Sequence, residues 1–150
     1  MTLHTAWVPE FARTYLEQIN RPYTEADLLD IAKGQVQSEE YLQLKADKYL
    51  VCDTDLYVLK VWSEHKYSHC DPWILATIAE RKYDLYLLTY IDIEWQPDPL
   101  REHSDAAMRQ YFYNVYKDIL IHGNVPWGEV RGTPEQRLQQ ALVAINNMLL

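Results

Sequence analysis

Glycine and cysteine are both scarce in this chain of 150 residues, with four of the first and two of the second. Few glycines beside 48% hydrophobic residues exclude a disordered chain and set up a folded one. Two thiols, Cys52 and Cys70, cannot make a disulfide framework and read as reduced cysteines. Positive charge is also short. The formal net charge of −8 excludes broad, non-specific nucleic-acid binding, which needs a basic face, so any bound anion must meet local arginines. No apolar run is long enough to span a membrane. The opening Met-Thr-Leu-His-Thr-Ala-Trp lacks the basic region and apolar core of a signal peptide, so a soluble, cytoplasmic protein is expected. There are no internal repeats and no low-complexity linker, and the length suits a single domain over residues 1–150.

Aromatic residues are plentiful instead, with twelve tyrosines and five tryptophans to fill a core, line a pocket for a flat base or form an interface. The central stretch is Tyr49-Leu50-Val51-Cys52-Asp53-Thr54-Asp55. Its apolar run without alternation suits a strand buried on both faces, as in a parallel sheet. Carboxylates just past the carboxyl end of such a strand lie where open α/β sheets bind ligands, so Asp53 is a candidate magnesium ligand acting through water. The plain alternative is that Asp53 and Asp55 only cap the helix starting near Leu56.

The same strand-tip, carboxylate, helix pattern occurs at Thr5–Val8, Pro9 and Glu10, with Phe11, Tyr15 and Ile19 at helical spacing. Glu10 and Arg13 also suit an ordinary i,i+3 pair. Thr24 and Asp27 resemble a capping box before the apolar stripe Leu28, Ile31, Ala32 and Val36. That helix is expected to run towards Asp47, with Glu39, Glu40 and Lys45 on a solvated face. His65, His69, Cys70 and Asp71 raise a metal site, but no second ligand pair occurs and Asp71 is better explained as the N-cap before Pro72. Asp84–Thr89 reads as a further strand around the apolar run Leu85-Tyr86-Leu87-Leu88, followed by an irregular acidic and proline-rich segment through Asp92, Trp95, Pro97, Asp98 and Pro99 that suits a lid. Arg101 follows, then a periodic helix carrying Arg109, whose plain partner is Asp105. A strand over Val125–Val130 leads through Arg131-Gly132 to Thr133-Pro134-Glu135-Gln136, where an N-cap, a proline at N1 and a capping-box glutamine coincide. Strands alternating with helices predict an α/β fold: a three-layer, mostly parallel sheet with helices on both faces.

Several of these segments occur together, in this order, in one family: Val8-Pro9-Glu10-Phe11-Ala12-Arg13, Cys52-Asp53-Thr54-Asp55, Cys70-Asp71-Pro72-Trp73, Tyr83-Asp84-Leu85-Tyr86-Leu87-Leu88-Thr89 and Leu100-Arg101. Over nearly its whole length the chain resembles the ribosylnicotinamide kinase domain of NadR-type proteins, a P-loop kinase fold. The resemblance implies transfer of the γ-phosphate of ATP, with Mg2+, to nicotinamide riboside, giving nicotinamide mononucleotide in NAD salvage. It departs at one point. The phosphate loop Gly-x-x-x-x-Gly-Lys-Ser/Thr and the strand before it are absent, and Gly34 stands alone in the first half of the chain. A start codon placed too late, a truncated chain or a degenerate paralogue would each account for that. His-x-Gly-His, the signature of the adenylyltransferase domain found in some NadR-type proteins, does not occur either.

By this resemblance Glu10 accepts the ribose hydroxyl proton or binds ribose hydroxyls, and Asp53 serves the magnesium. Asp55 is a weaker substitute for either. Arg13, Trp62 and Trp73 are candidate substrate contacts, Arg101 and Arg109 lid arginines over the phosphates, and Arg131 a contact near adenine. Without the loop, little or no kinase turnover is expected of this chain. The alternatives are a non-catalytic remnant that binds a nucleoside or a protein, and a kinase for another nucleoside or nucleotide. A sheet edge left by the missing strand would invite a homo-oligomer.

Overall fold

In the computed structural model, which describes residues 6–92 and 106–148, the elements follow the order expected from the sequence. Strand β1 (Ala6–Val8) leads into helices α1 (Phe11–Ile19) and α2 (Glu25–Gln43). Strand β2 (Leu50–Cys52) leads into α3 (Leu56–Tyr67) and α4 (Pro72–Glu80). Strand β3 (Tyr86–Thr89) is followed by α5 (Ala106–His122), β4 (Trp127–Val130) and α6 (Pro134–Met148). The expected lid segment through Trp95, Asp98 and Arg101 lies outside the described residues. The strands pair two by two, β1 parallel to β2 and β3 parallel to β4, so the fold is mixed α/β with two small parallel sheets. None of the described helices is long and apolar enough to cross a membrane.

The chain divides into two compact units, Met1–Glu80 and Arg81–Leu150. In the first, α2 is the central helix. Asp27 accepts the Thr24 backbone N–H at 2.7 Å, the capping-box contact read from the sequence. Beyond it Leu28, Ile31, Ala32 and Val36 are buried, and with Leu56, Leu59 and Ile74 from α3 and α4 they make the core. Each fully buried aliphatic side chain here contributes roughly 1.5–3 kcal/mol by leaving water. The same face also buries Gln35 and Glu39, which corrects the expectation of a solvated Glu39: its side chain is 1% exposed, while Glu40 and Lys45 are exposed. Glu39 stands eleven residues after Leu28, three helical turns on, and so shares its direction.

Local capping sets the other helix starts. Asp55 accepts the Tyr57 N–H at 3.1 Å and Asp71 the Trp73 N–H at 2.8 Å, both as the sequence suggests. His69 Nε2 lies 2.8 Å from the Glu25 carboxylate, and no group of three metal-ligating side chains forms among the described residues.

The two thiols differ. Cys70 belongs to the core, where desolvation and then the nearby Glu64 charge push its pKa up, while Cys52 is half-buried. Alkylation of the native protein is therefore expected at Cys52 before Cys70, as peptide mapping after a short iodoacetamide pulse will show; equal labelling would contradict the packing.

In the second unit, α6 packs along β4 and begins with a reciprocal box: Thr133 N–H bonds Gln136 Oε1 at 2.9 Å and Gln136 N–H bonds Thr133 Oγ1 at 3.2 Å. Gly132, just before it, has a φ of +94°, a left-handed turn that suits glycine.

Candidate functional site

Parallel pairing in register, with Ala6 opposite Leu50 and Val8 opposite Cys52, makes β1 and β2 end side by side. The ladder continues one step, with Asp53 N–H on the Val8 carbonyl at 2.9 Å. The two tips therefore deliver Pro9-Glu10 and Asp53-Thr54-Asp55 to one end of the sheet. Thr54 has a φ of 68°, an outlier for a β-branched residue that costs about 1–3 kcal/mol. That reversal leaves Asp53 exposed and brings Asp55 half-buried onto the start of α3.

Glu10 and Asp55 then line one narrow cavity, with Gln35 and Thr54 as its other polar walls and Ile31, Leu59 and Trp62 among its apolar ones. Its free volume is about 10 Å³, on the order of a single water, so it has no room for a ligand of any size as it stands. Glu10 is the residue before α1, and its side chain makes no capping hydrogen bond to that helix. Gln35 does that work from α2: its Oε1 accepts the Phe11 N–H at 3.1 Å, and its Nε2 donates to Glu39 Oε2 at 3.1 Å. Two carboxylates and an amide around a small cavity can bind hydroxyl groups, and either carboxylate can accept a hydroxyl proton.

A second polar cluster ties α1 to α2. Asp27, 3% exposed, accepts from Tyr15 Oη at 2.7 Å and from Arg21 at 2.7 and 3.0 Å, and also from the Thr24 hydroxyl at 3.1 Å. Arg21 first, then Tyr15 and the Thr24 N–H, hold the Asp27 carboxyl far below the usual carboxylate range. The bond to Asp27, with desolvation and the carboxylate charges behind it, pushes Tyr15 up to about 12.

The other sequence-predicted residues are spread more widely. Trp62 lines the cavity, whereas Trp73 packs against the core with the Lys33 ammonium 5.6 Å from its ring centre, and Arg13 is exposed. In the second unit, Arg109 Nη2 reaches the Ile91 carbonyl at 3.4 Å, and its expected partner Asp105 is outside the described residues, as is Arg101. Arg131 lies over the Tyr90 ring, 4.3 Å from its centre, and pairs with Glu129, while its backbone exchanges bonds of 2.8 and 3.0 Å with the Gln140 amide.

Sequence reasoning passed over Gln35, Arg21 and Arg137, and placed Glu39 on a solvated face. Arg137 ties the turn before α6 together: it bonds the Gly132 carbonyl at 3.0 Å and the Tyr90 carbonyl at 2.8 Å, and pairs with Asp92. Asp92 in turn accepts the Gly132 N–H at 2.7 Å. Desolvation raises the Asp92 pKa, but the backbone N–H bonds and Arg137 outweigh it and hold the carboxyl below its usual range. Arg137 carried a signal in the sequence, being a cation in the first turn of a helix, where the macrodipole disfavours positive charge unless a carboxylate answers it.

Residues 2–137 match the family described as an AAA domain. The chain is also similar to the trifunctional NAD biosynthesis/regulator protein NadR of Escherichia coli (strain K12), 26% identical over 132 residues, which is 84% of this chain and 31% of that protein. The protein of the same name from Salmonella typhimurium (strain LT2) is 25% identical over 133 residues, 85% of this chain and 32% of that one. The chain thus spans about a third of the length of these relatives.

Proposed function

The chain belongs to the AAA-domain family, and on that premise we propose that it forms the nucleoside-binding part of a phosphotransferase of the ribosylnicotinamide kinase type. One observation carries the reading: the in-register tips of β1 and β2 bring Glu10 and Asp55 onto a shared cavity beside Trp62. A ribose supplies hydroxyls for those carboxylates, and a flat base supplies a face for the indole. In this reading Glu10 takes the proton from the hydroxyl that receives phosphate, or orients it. Asp53, exposed at the strand tip, suits a magnesium ion held by one carboxylate and waters, the arrangement magnesium favours when phosphates complete its shell. When bound, Mg-ATP supplies the phosphoryl group and the charge neutralisation of its transfer. The sequence has no Gly-x-x-x-x-Gly-Lys-Ser/Thr to cradle a triphosphate, so nucleoside binding without appreciable turnover is the expected behaviour of this chain.

Calorimetric titration tests this directly. Nicotinamide riboside is expected to bind saturably, and Glu10→Gln to weaken it by about tenfold, roughly the 1.4 kcal/mol of one lost charged hydrogen bond. Glu40→Gln, at an exposed position of α2, should leave binding unchanged. Saturable binding of Mg-ATP with turnover would replace the half-site reading with a complete kinase. Absence of riboside binding would end the nucleoside reading and favour a protein-binding remnant.

A further inference from the structure

Thr54 holds a backbone conformation that its own side chain disfavours. Its φ of 68° lies in the left-handed region, which glycine enters freely and asparagine or aspartate tolerates, but where a β-branched residue is strained. Such strain persists only where the surrounding structure over-determines it, and it gathers at sites that use it. A turn from strand into helix does not itself call for threonine. Asp55 supplies the helix cap, accepting the Tyr57 N–H at 3.1 Å. Among the described residues the Thr54 hydroxyl has no hydrogen-bond partner. The side chain therefore serves neither the turn nor the cap.

Thr54 is half-buried and borders the cavity it shares with Glu10, Gln35 and Asp55. That space is on the order of one water, which matches one hydroxyl group and not a whole sugar. A hydroxyl group both donates and accepts, whereas an ionised carboxylate only accepts. The Gln35 amide is already engaged at both ends, with the Phe11 N–H at 3.1 Å and with Glu39 at 3.1 Å. We infer that Thr54 is a further ligand-binding residue of this site: its hydroxyl donates to the oxygen of a ligand hydroxyl whose own proton faces a carboxylate. The strained turn is what presenting that hydroxyl requires. The ligand half of this inference rests on the nucleoside reading above; the strain half stands independently of it.

Substitutions at this position separate the side chain from the backbone. Thr54→Ser keeps the hydroxyl. Thr54→Val keeps the branched shape and the strain but loses the hydroxyl, and Thr54→Gly loses the hydroxyl while relieving the strain. Urea midpoints, and affinities for nicotinamide riboside by calorimetry, are measured for these variants and the wild type. Thr54→Gly is expected to raise the midpoint by about 0.3 M and to weaken riboside binding about tenfold, so that stability and affinity move in opposite directions. Thr54→Val is expected to lose the same affinity without that gain, and Thr54→Ser to bind within about twofold of the wild type. A midpoint that does not rise in Thr54→Gly would overturn the strain half. Wild-type affinity in Thr54→Val, or a loss in Thr54→Ser as large as that in Thr54→Gly, would remove the hydroxyl from the site while the nucleoside reading stood. If the wild type binds no riboside, that reading and the hydroxyl's role fail together, and the midpoints still decide the strain. Should Thr54→Val not fold, Thr54→Gly against Thr54→Ser makes the same comparison.

Discussion

Asp27→Ala lowers the unfolding free energy by on the order of 3 kcal/mol, the largest effect expected of any polar substitution in the first unit. The carboxylate is 3% exposed and joins three segments: Tyr15 on α1, Arg21 in the turn and the Thr24 cap of α2. Its loss leaves the Tyr15 hydroxyl only the longer 3.4 Å bond to Asp30 and uncaps α2 together. Arg21 is itself half exposed and keeps access to water, which limits the penalty on its side. Urea denaturation followed by circular dichroism measures the change. A loss under 1 kcal/mol would show that the cluster is merely superficial, as exposed ion pairs usually are.

The same cluster sets a pH dependence with two limbs. Asp27 is depressed in the folded state, so its contribution is complete above the ordinary carboxylate value of 3.8 and is lost as pH falls below it. Tyr15 is raised from 10.0 to about 12, so its contribution is complete below pH 10 and is lost as pH climbs from there towards 12. Tyr15→Phe should flatten the alkaline limb relative to wild type and leave most of the acid limb. Parallel curves for the two proteins between pH 9 and 11.5, measured by urea midpoint, would contradict the assignment.

Gly34→Ala is expected to destabilise the protein by about 2 kcal/mol, against the usual sign for a helix interior, where alanine is favoured over glycine by about 1 kcal/mol. The reason is the Phe11 ring, which lies directly on Gly34 where a Cβ would overlap its edge. Phe11 is the first residue of α1 and packs against the core, so pushing its ring away also disturbs the strand tip that carries Glu10. A double-mutant cycle separates the causes. In a Phe11→Ala background the overlap is gone, and Gly34→Ala should become neutral or stabilising. If it stays equally destabilising, the clash is not the cause.

Local signals and local structure agree where both partners lie close in the chain. The caps at Asp55, Asp71 and Thr133–Gln136 act over two or three residues, so the sequence neighbours contain both partners. Strand–helix alternation and the placement of Glu10, Asp53 and Asp55 at strand tips came from the same short-range logic. Glu39 is a case where helical phase and charge point in opposite directions. Its spacing from Leu28 puts it on the buried face, whereas its charge alone favours the solvated one. A single buried carboxylate is unfavourable, and only a partner such as Gln35 makes the period the better guide.

By itself, the sequence determined which segments become strands and helices, where α2, α3, α4 and α6 start, and which carboxylates end up beside a strand. Those outcomes follow from steric and capping preferences that reach only a few residues. The tertiary structure decided which of those carboxylates share a cavity, and which polar groups hold them. Gln35 meets the Phe11 N–H across 24 residues and Arg137 meets Asp92 across 45, while Phe11 meets Gly34 only when two helices touch. No local preference encodes such pairs. They form because burying the apolar face of α2 draws its neighbours in, and each polar group carried along must then find its hydrogen bond there.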